Sequence, residues 1–379
     1  MRRFPVKQPN TSGLPSSRGL ILEYREDEAD DSSEPKTLLL SDIFFKPLSY
    51  ECLRTLPKKP PVEIDLEITQ AKRLDSSFEM PEGNIRSKFT LKNQATTGYF
   101  GLVQGGWLPM LYGCATPNMI CLLDTNVFDG LTGAFRNKKN GNKKAIRNDL
   151  VEHLYGSHII INPMLYAMES PYDGPPPLED FASRFREGVQ KLKASLPKAT
   201  VLDDLPRLLG AYGLTNDASE NFSRTTRFLK AISGFLKSPV PHSNKAACWD
   251  EILDVANEHN ISASSITLTA SLIAVASANQ KNAARNVLKF RGGYNDKNAY
   301  NAAFDLFALE ILLLMIATDE SRPIQLCTRD RNLALLWAGL QPNNIHFSDD
   351  NSLQYNFTPA EDFLPSEFRA KWKSLVEST

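Results

Sequence analysis

The chain is poor in the residues that most often build zinc and redox centres, with five cysteines and five histidines among 379 residues. Cys52, Cys114, Cys121, Cys248 and Cys327 are scattered, odd in number and free of any Cys-x-x-Cys pair. Reduced thiols of a cytoplasmic protein are therefore expected, and a zinc site is not. His153 and His158 also lack the spacing of a zinc-binding helix. Excess charge of one sign is missing too, since 43 basic side chains face 44 acidic ones. With no global positive field, any nucleic-acid partner has to be held by a local basic patch. The glycine-rich stretch Gly101 to Gly113 is not followed by Lys-Ser or Lys-Thr, which excludes a phosphate loop and leaves packing or a turn. The basic start has no apolar core behind it, so no signal peptide is expected. Ile261 to Ala278 is uncharged but dense in Ser, Thr and Ala, and Phe304 to Ala317 is short and interrupted by Asp305 and Glu310. Both read as buried helices, with no membrane partner.

What is there divides the chain unevenly, and its length suffices for two domains or for one carrying large insertions. Residues 1–100 read as an N-terminal extension, in which Val62 to Ile68 alternates apolar and acidic side chains as a half-exposed strand does, with Arg86 to Leu91 as its partner. Leu38 to Phe45 suits a strand or a helix start. The acidic run between Tyr24 and Lys36 has the composition of a solvated loop, with a nucleic-acid mimic over a basic site as the alternative. Residues 101–177 and 291–350 form the expected core, 178–290 a helical insertion without internal repeat, and 351–379 a C-terminal helix.

Within that core the apolar run Met119 to Leu123 reads as a buried strand that delivers Asp124 where the chain must turn, the place where parallel α/β sheets bind ligands. His158 to Ile161 gives a second strand, then Asn162 as cap, Pro163 at the first helical position and Glu169 under two turns later. Asn298, Asn301 and Asp305 share a face of an apolar helix, where a carboxylate needs a partner or a metal. Pro323 to Cys327 is a strand leading into a helix, with Thr328 and Asp330 in the connection and a helix N-cap as the bland alternative. Asn344 to Phe347 reads as a last edge strand. Four converging carboxylates repel one another unless a divalent cation neutralises them. Oxygen ligands with few histidines favour Mg²⁺ or Mn²⁺, and a two-metal site suits phosphodiester hydrolysis.

In order and local context, four motifs resemble PIN-domain nucleases: Asp124 to Val127 after a strand, Asn162 to Glu169, the helix carrying Asp305, and Thr328 to Asp330. The resemblance covers roughly residues 117–170 and 295–350, under a third of the chain. It implies a three-layer α/β fold with a mainly parallel central sheet and metal-dependent endoribonuclease activity, as in the ribonuclease toxins of toxin–antitoxin pairs. Carried over, Asp124, Glu169, Asp305 and Asp330 are catalytic metal ligands, Thr328 a supporting hydroxyl and Asn126 an outer donor, with Glu310 able to assist or replace Asp305. The substrate backbone would be held by the loop cations Lys138, Lys139, Lys143, Lys144 and Arg147, and by Lys281, Arg285 and Lys289, which recur every four residues as a ridge on one helix. A solvated face is the alternative for both sets. The long insertion between Glu169 and Asp305 and the first hundred residues are foreign to the family and suggest a regulatory or substrate-selecting part, a regulatory protein partner or a homo-oligomer. A DNA nuclease with the same metal site and an inert PIN-like binding module are the competing readings.

Overall fold

The computed structural model describes residues 20–25, 36–57, 62–78, 84–93, 98–139, 149–169, 174–277, 282–318, 322–349 and 352–377. It separates into two compact units. The first comprises Met1–Pro163, Arg186–Asp203 and Asp319–Arg329; the second comprises Met164–Phe185, Asp204–Thr318 and Asp330–Thr379. The expected helical insertion 178–290 is thus divided, with Arg186–Asp203 assigned to the first unit.

The first unit opens with strands β1 (Leu22–Arg25), β2 (Thr37–Phe45), β3 (Val62–Ser76) and β4 (Ser87–Asn93), paired in that order as an antiparallel sheet, with helix α1 (Tyr50–Thr55) between β2 and β3. In β3 the side chains of Val62, Ile64, Leu66 and Ile68 are buried while Glu63 and Asp65 are exposed. This period of two pins the register, Val62 opposite Asn93 and Ile68 opposite Ser87, because a one-residue slip would turn the apolar set outward.

A second sheet contains β5 (Phe100–Val103), β6 (Gly106–Pro109), β7 (Ile120–Leu123), β8 (Ile160–Asn162), β9 (Thr200–Val201) and β10 (Ile324–Thr328), in the order β6-β5-β10-β7-β8-β9. Strands β10, β7, β8 and β9 are mutually parallel, while β5 and β6 form an antiparallel edge hairpin. The chain is therefore mixed α/β with a mostly parallel second sheet. Every residue of β7 and β10 is buried, as the continuous apolar run requires of central parallel strands. Helices α2 (Met110–Gly113), α3 (Thr125–Lys139), α4 (Asp149–Tyr155) and the later part of α6 (Leu178–Ser195) complete this unit. Strand β9 is a departure from the helical pattern expected through 178–290. After Pro197 the chain is extended, and Thr200 N–H and Leu202 N–H donate to the carbonyls of Ile159 and Ile161 at 2.8 Å.

The glycines of this unit make room. A Cβ at Gly106, whose φ is +151°, would meet the Leu48 carbonyl at 2.2 Å, and a Cβ at Gly101 or at Gly113 would meet Gln325 Oε1 at 2.1 Å. Gln325 is wholly buried on β10, where its Nε2 donates to Cys114 Sγ at 3.2 Å and Cys121 Sγ at 3.1 Å.

The second unit is chiefly helical: α5 (Met164–Met168), the start of α6, α7 (Leu205–Asp217), α8 (Ser219–Leu236), α9 (Lys245–Glu258), α10 (Ile266–Ala276), α11 (Ala283–Val287), α12 (Asp296–Thr318), α13 (Arg331–Leu340) and α14 (Ser366–Glu377). Asn162 ends β8 and the helix begins at Met164, so Pro163 sits one place before the first helical residue expected for it. All of α10 is buried, and α12, although long and apolar enough to cross a membrane, packs against α8 and α10 with most of its apolar side chains covered. Each fully buried Leu or Ile there contributes about 1.5–3 kcal/mol. Asn344 to Phe347 lies in β11 (Pro342–Phe347), which pairs with β12 (Leu353–Phe357) in a separate hairpin and not at the edge of the main sheet. Two helix ends are closed by buried cations. Arg285 donates to the carbonyls of Leu236 at 2.7 Å and Ser238 at 3.0 Å, and Lys245 Nζ to that of Ala276 at 2.6 Å, where the carbonyl end of a helix favours positive charge.

Candidate active site at the carboxyl end of the parallel strands

Strands β7 and β10 are parallel neighbours, with Ile120 beside Ile324 and Leu123 beside Cys327. The next residues, Asp124 and Thr328, consequently emerge side by side, and Asp124 N–H donates to the Cys327 carbonyl at 3.0 Å. The Asp124 carbonyl accepts two N–H groups from the first turn of α3, those of Val127 and Phe128, each at 2.9 Å. Its carboxylate accepts instead from the buried Thr328 hydroxyl, 2.8 Å from Oδ2, and from the exposed Asn126 amide at 3.5 Å. Sequence proximity brings Asn126 to Asp124; the parallel register brings Thr328 there from 204 residues away. Beside them the Thr125 hydroxyl is buried without a hydrogen-bond partner. Beneath, burial holds the Cys327 thiol well above its ordinary value, and a hydrogen bond to Cys121 together with burial does the same for Cys114.

The remaining carboxylate candidates belong to the second unit. Glu169 follows α5, and its Oε2 is buried with no hydrogen-bond partner. A carboxylate can only accept, so a buried oxygen without a donor is costly unless a cation faces it. Asp330 caps α13, with Oδ1 accepting from Asn332 N–H at 2.7 Å and Leu333 N–H at 3.3 Å. Asp305 has found the partner a carboxylate on an apolar helix needs: Lys289 Nζ lies 2.5 Å from its Oδ2, both side chains being three-quarters buried. Glu310, five residues further along α12, is turned about 140° away from Asp305. It lines a cavity of about 10 Å³ with Asn221, Thr225 and Thr267, room for one water. Burial raises its carboxyl from 4.5 to about 7. Assisting or replacing Asp305 is not open to a side chain on that different face.

The basic residues are used differently from the sequence expectation. Lys138 and Lys139 close α3 and do not start a loop, whereas Lys143, Lys144, Arg147 and Lys281 lie outside the described residues. No ridge runs through Arg285 and Lys289. The helix α11 spans only Ala283–Val287, Arg285 is buried against the end of α8, and Lys289 follows in the left-handed region at φ +59°.

One cation in the connection after β10 is absent from the sequence expectations. Arg329, exposed and next to Thr328, lies over the Tyr99 ring with its guanidinium 5.2 Å from the centroid. β10 is buried on both faces and ends at Thr328, so no alternation signalled the exposure of Arg329; its charge just past the strand's end was the one hint. Among the described residues no three His, Cys, Asp or Glu side chains are grouped closely enough to hold a metal ion. No protein-family model, curated protein or solved structure matches the chain.

Proposed function

We propose that the chain is a PIN-like, Mg²⁺- or Mn²⁺-dependent phosphodiesterase that cleaves RNA. The observation carrying this reading is the Asp124 carboxylate, presented at the carboxyl end of two parallel strands and held at 2.8 Å by a hydroxyl from the neighbouring strand. An aspartate needed only to cap α3 would turn its carboxylate to the helix N–H groups, as Asp330 does on α13. The oxygen donors that Asp124 offers fit a hard cation.

When bound, Mg²⁺ or Mn²⁺ supplies neutralisation and polarisation of the phosphoryl oxygens. Asp124 would be the principal ligand. Thr328 fixes its rotamer by donating its hydroxyl to Oδ2. Asn126, exposed on the first turn of α3 and donating to Asp124 at 3.5 Å, would also donate toward substrate. Glu169, Asp305 and Asp330, all in the second unit, are ligands by the PIN resemblance alone; Asp305 is already paired with Lys289 and Asp330 caps α13.

Calorimetric titration with Mn²⁺ tests each in turn. Uptake by the wild type is expected to vanish in Asp124→Asn and to weaken about 10–100-fold in Thr328→Val, which keeps the shape but not the donor. Equal uptake by wild type and Asp124→Asn would remove the basis of the proposal.

A further inference from the structure

We infer that Arg329 binds a backbone phosphate of a single-stranded nucleic acid and sets that strand beside Asp124; the inference rests on reading the site as a phosphodiesterase. Arg329 is the residue after Thr328, whose hydroxyl holds Asp124, and it is exposed. Its guanidinium is laid over the buried Tyr99 ring, 5.2 Å from the centroid. Tyr99 in turn is seated on α3 at Gly130, where a Cβ would stand 3.0 Å from the phenol oxygen and 3.9 Å from Arg329 Nη1. Glycine at 130 therefore leaves the space that the ring and the guanidinium share.

Stacking orients the guanidinium through its face and leaves its N–H fork unused. No carboxylate forms an ion pair with Arg329 among the described residues. A planar, preoriented fork without an acid partner is suited to two-point binding of a phosphate. An arginine serving the fold would be occupied as Arg285 is, buried on carbonyl oxygens.

The test is fluorescence anisotropy of a short labelled single-stranded RNA with the full chain, without divalent metal, over a salt series. Wild type is expected to bind. Arg329→Gln should bind several-fold more weakly and lower the slope of log affinity against log salt by about 0.7, the value for one phosphate contact on a single strand. Arg329→Lys should restore the slope with intermediate affinity, and Tyr99→Leu should weaken binding with the slope intact. A purely structural role would leave the slope unmoved. Unchanged slope and affinity in Arg329→Gln overturns the inference, as does a wild type that does not bind the RNA. Should the slope fall while Mn²⁺ brings no cleavage, the phosphate contact stands and the phosphodiesterase reading fails. Mn²⁺-dependent cleavage with the same KM in Arg329→Gln would leave the phosphodiesterase reading standing and overturn the phosphate contact.

Discussion

Glu310 offers a pH dependence whose sign follows from its surroundings. Burial raises its carboxyl from 4.5 to about 7, so between those values the folded chain holds a proton that the unfolded chain has released. Folding stability then falls as pH rises through that window, by about 1.4 kcal/mol per pH unit, and levels off above it. The full shift corresponds to roughly 3 kcal/mol. Because the residue keeps some solvent access although its carboxyl group is buried, about 1–3 kcal/mol is the expected range. Glu310→Gln keeps the shape and removes the titration. Urea unfolding followed by Trp249, Trp337 and Trp372, all in the second unit, should show wild type and variant alike near about pH 4 and the variant more stable by that amount above about pH 8. Parallel stability profiles for the two proteins would refute the argument.

Other substitutions test the packing and the assignments. Gly113→Ala drives a Cβ to 2.1 Å from Gln325 Oε1; a loss of about 1–3 kcal/mol is expected, largely recovered in the double variant with Gln325→Ala, and additive losses in chemical denaturation would contradict this. Lys289→Met removes the ammonium from the part-buried Asp305 carboxylate and should destabilise by about 1–3 kcal/mol, with recovery when Asp305→Leu is added; a thermal melt unaffected by Lys289→Met alone would show the pair to be idle. Arg285→Met uncovers the Leu236 and Ser238 carbonyls and should cost about 2–3 kcal/mol while RNA affinity in the anisotropy assay stays the same. Weaker RNA binding with unaltered stability would return Arg285 to the substrate-holding role suggested by its spacing.

Elements whose pattern reports one packed face are legible in the sequence. The alternation of β3 gives both the strand and its pairing with β4, and the apolar run of β7 marks a buried strand ending at Asp124. Strand β9 is illegible because two residues cannot display a period, and its place is settled by carbonyls on β8. The spacing of Arg285 and Lys289 suggests a solvated ridge, yet the helix stops at Val287 and both cations turn to internal acceptors. Charge spacing reports neighbours on a helix only where the helix continues. At the site, Asp124 is legible from strand-then-acid order, and Thr328 from the same order on β10. Their 2.8 Å contact depends on the register of two strands far apart in sequence. Tyr99 and Arg329 meet through another register, that of the antiparallel β5–β10 pair, in which Phe100 stands opposite Thr328.

The most direct test is cleavage of labelled RNA by the wild type and by Asp124→Asn, each with and without Mn²⁺. Metal-dependent cleavage by the wild type and none by a folded Asp124→Asn is the expected result. Cleavage that persists undiminished in Asp124→Asn would contradict the assignment of the chemistry to this carboxylate.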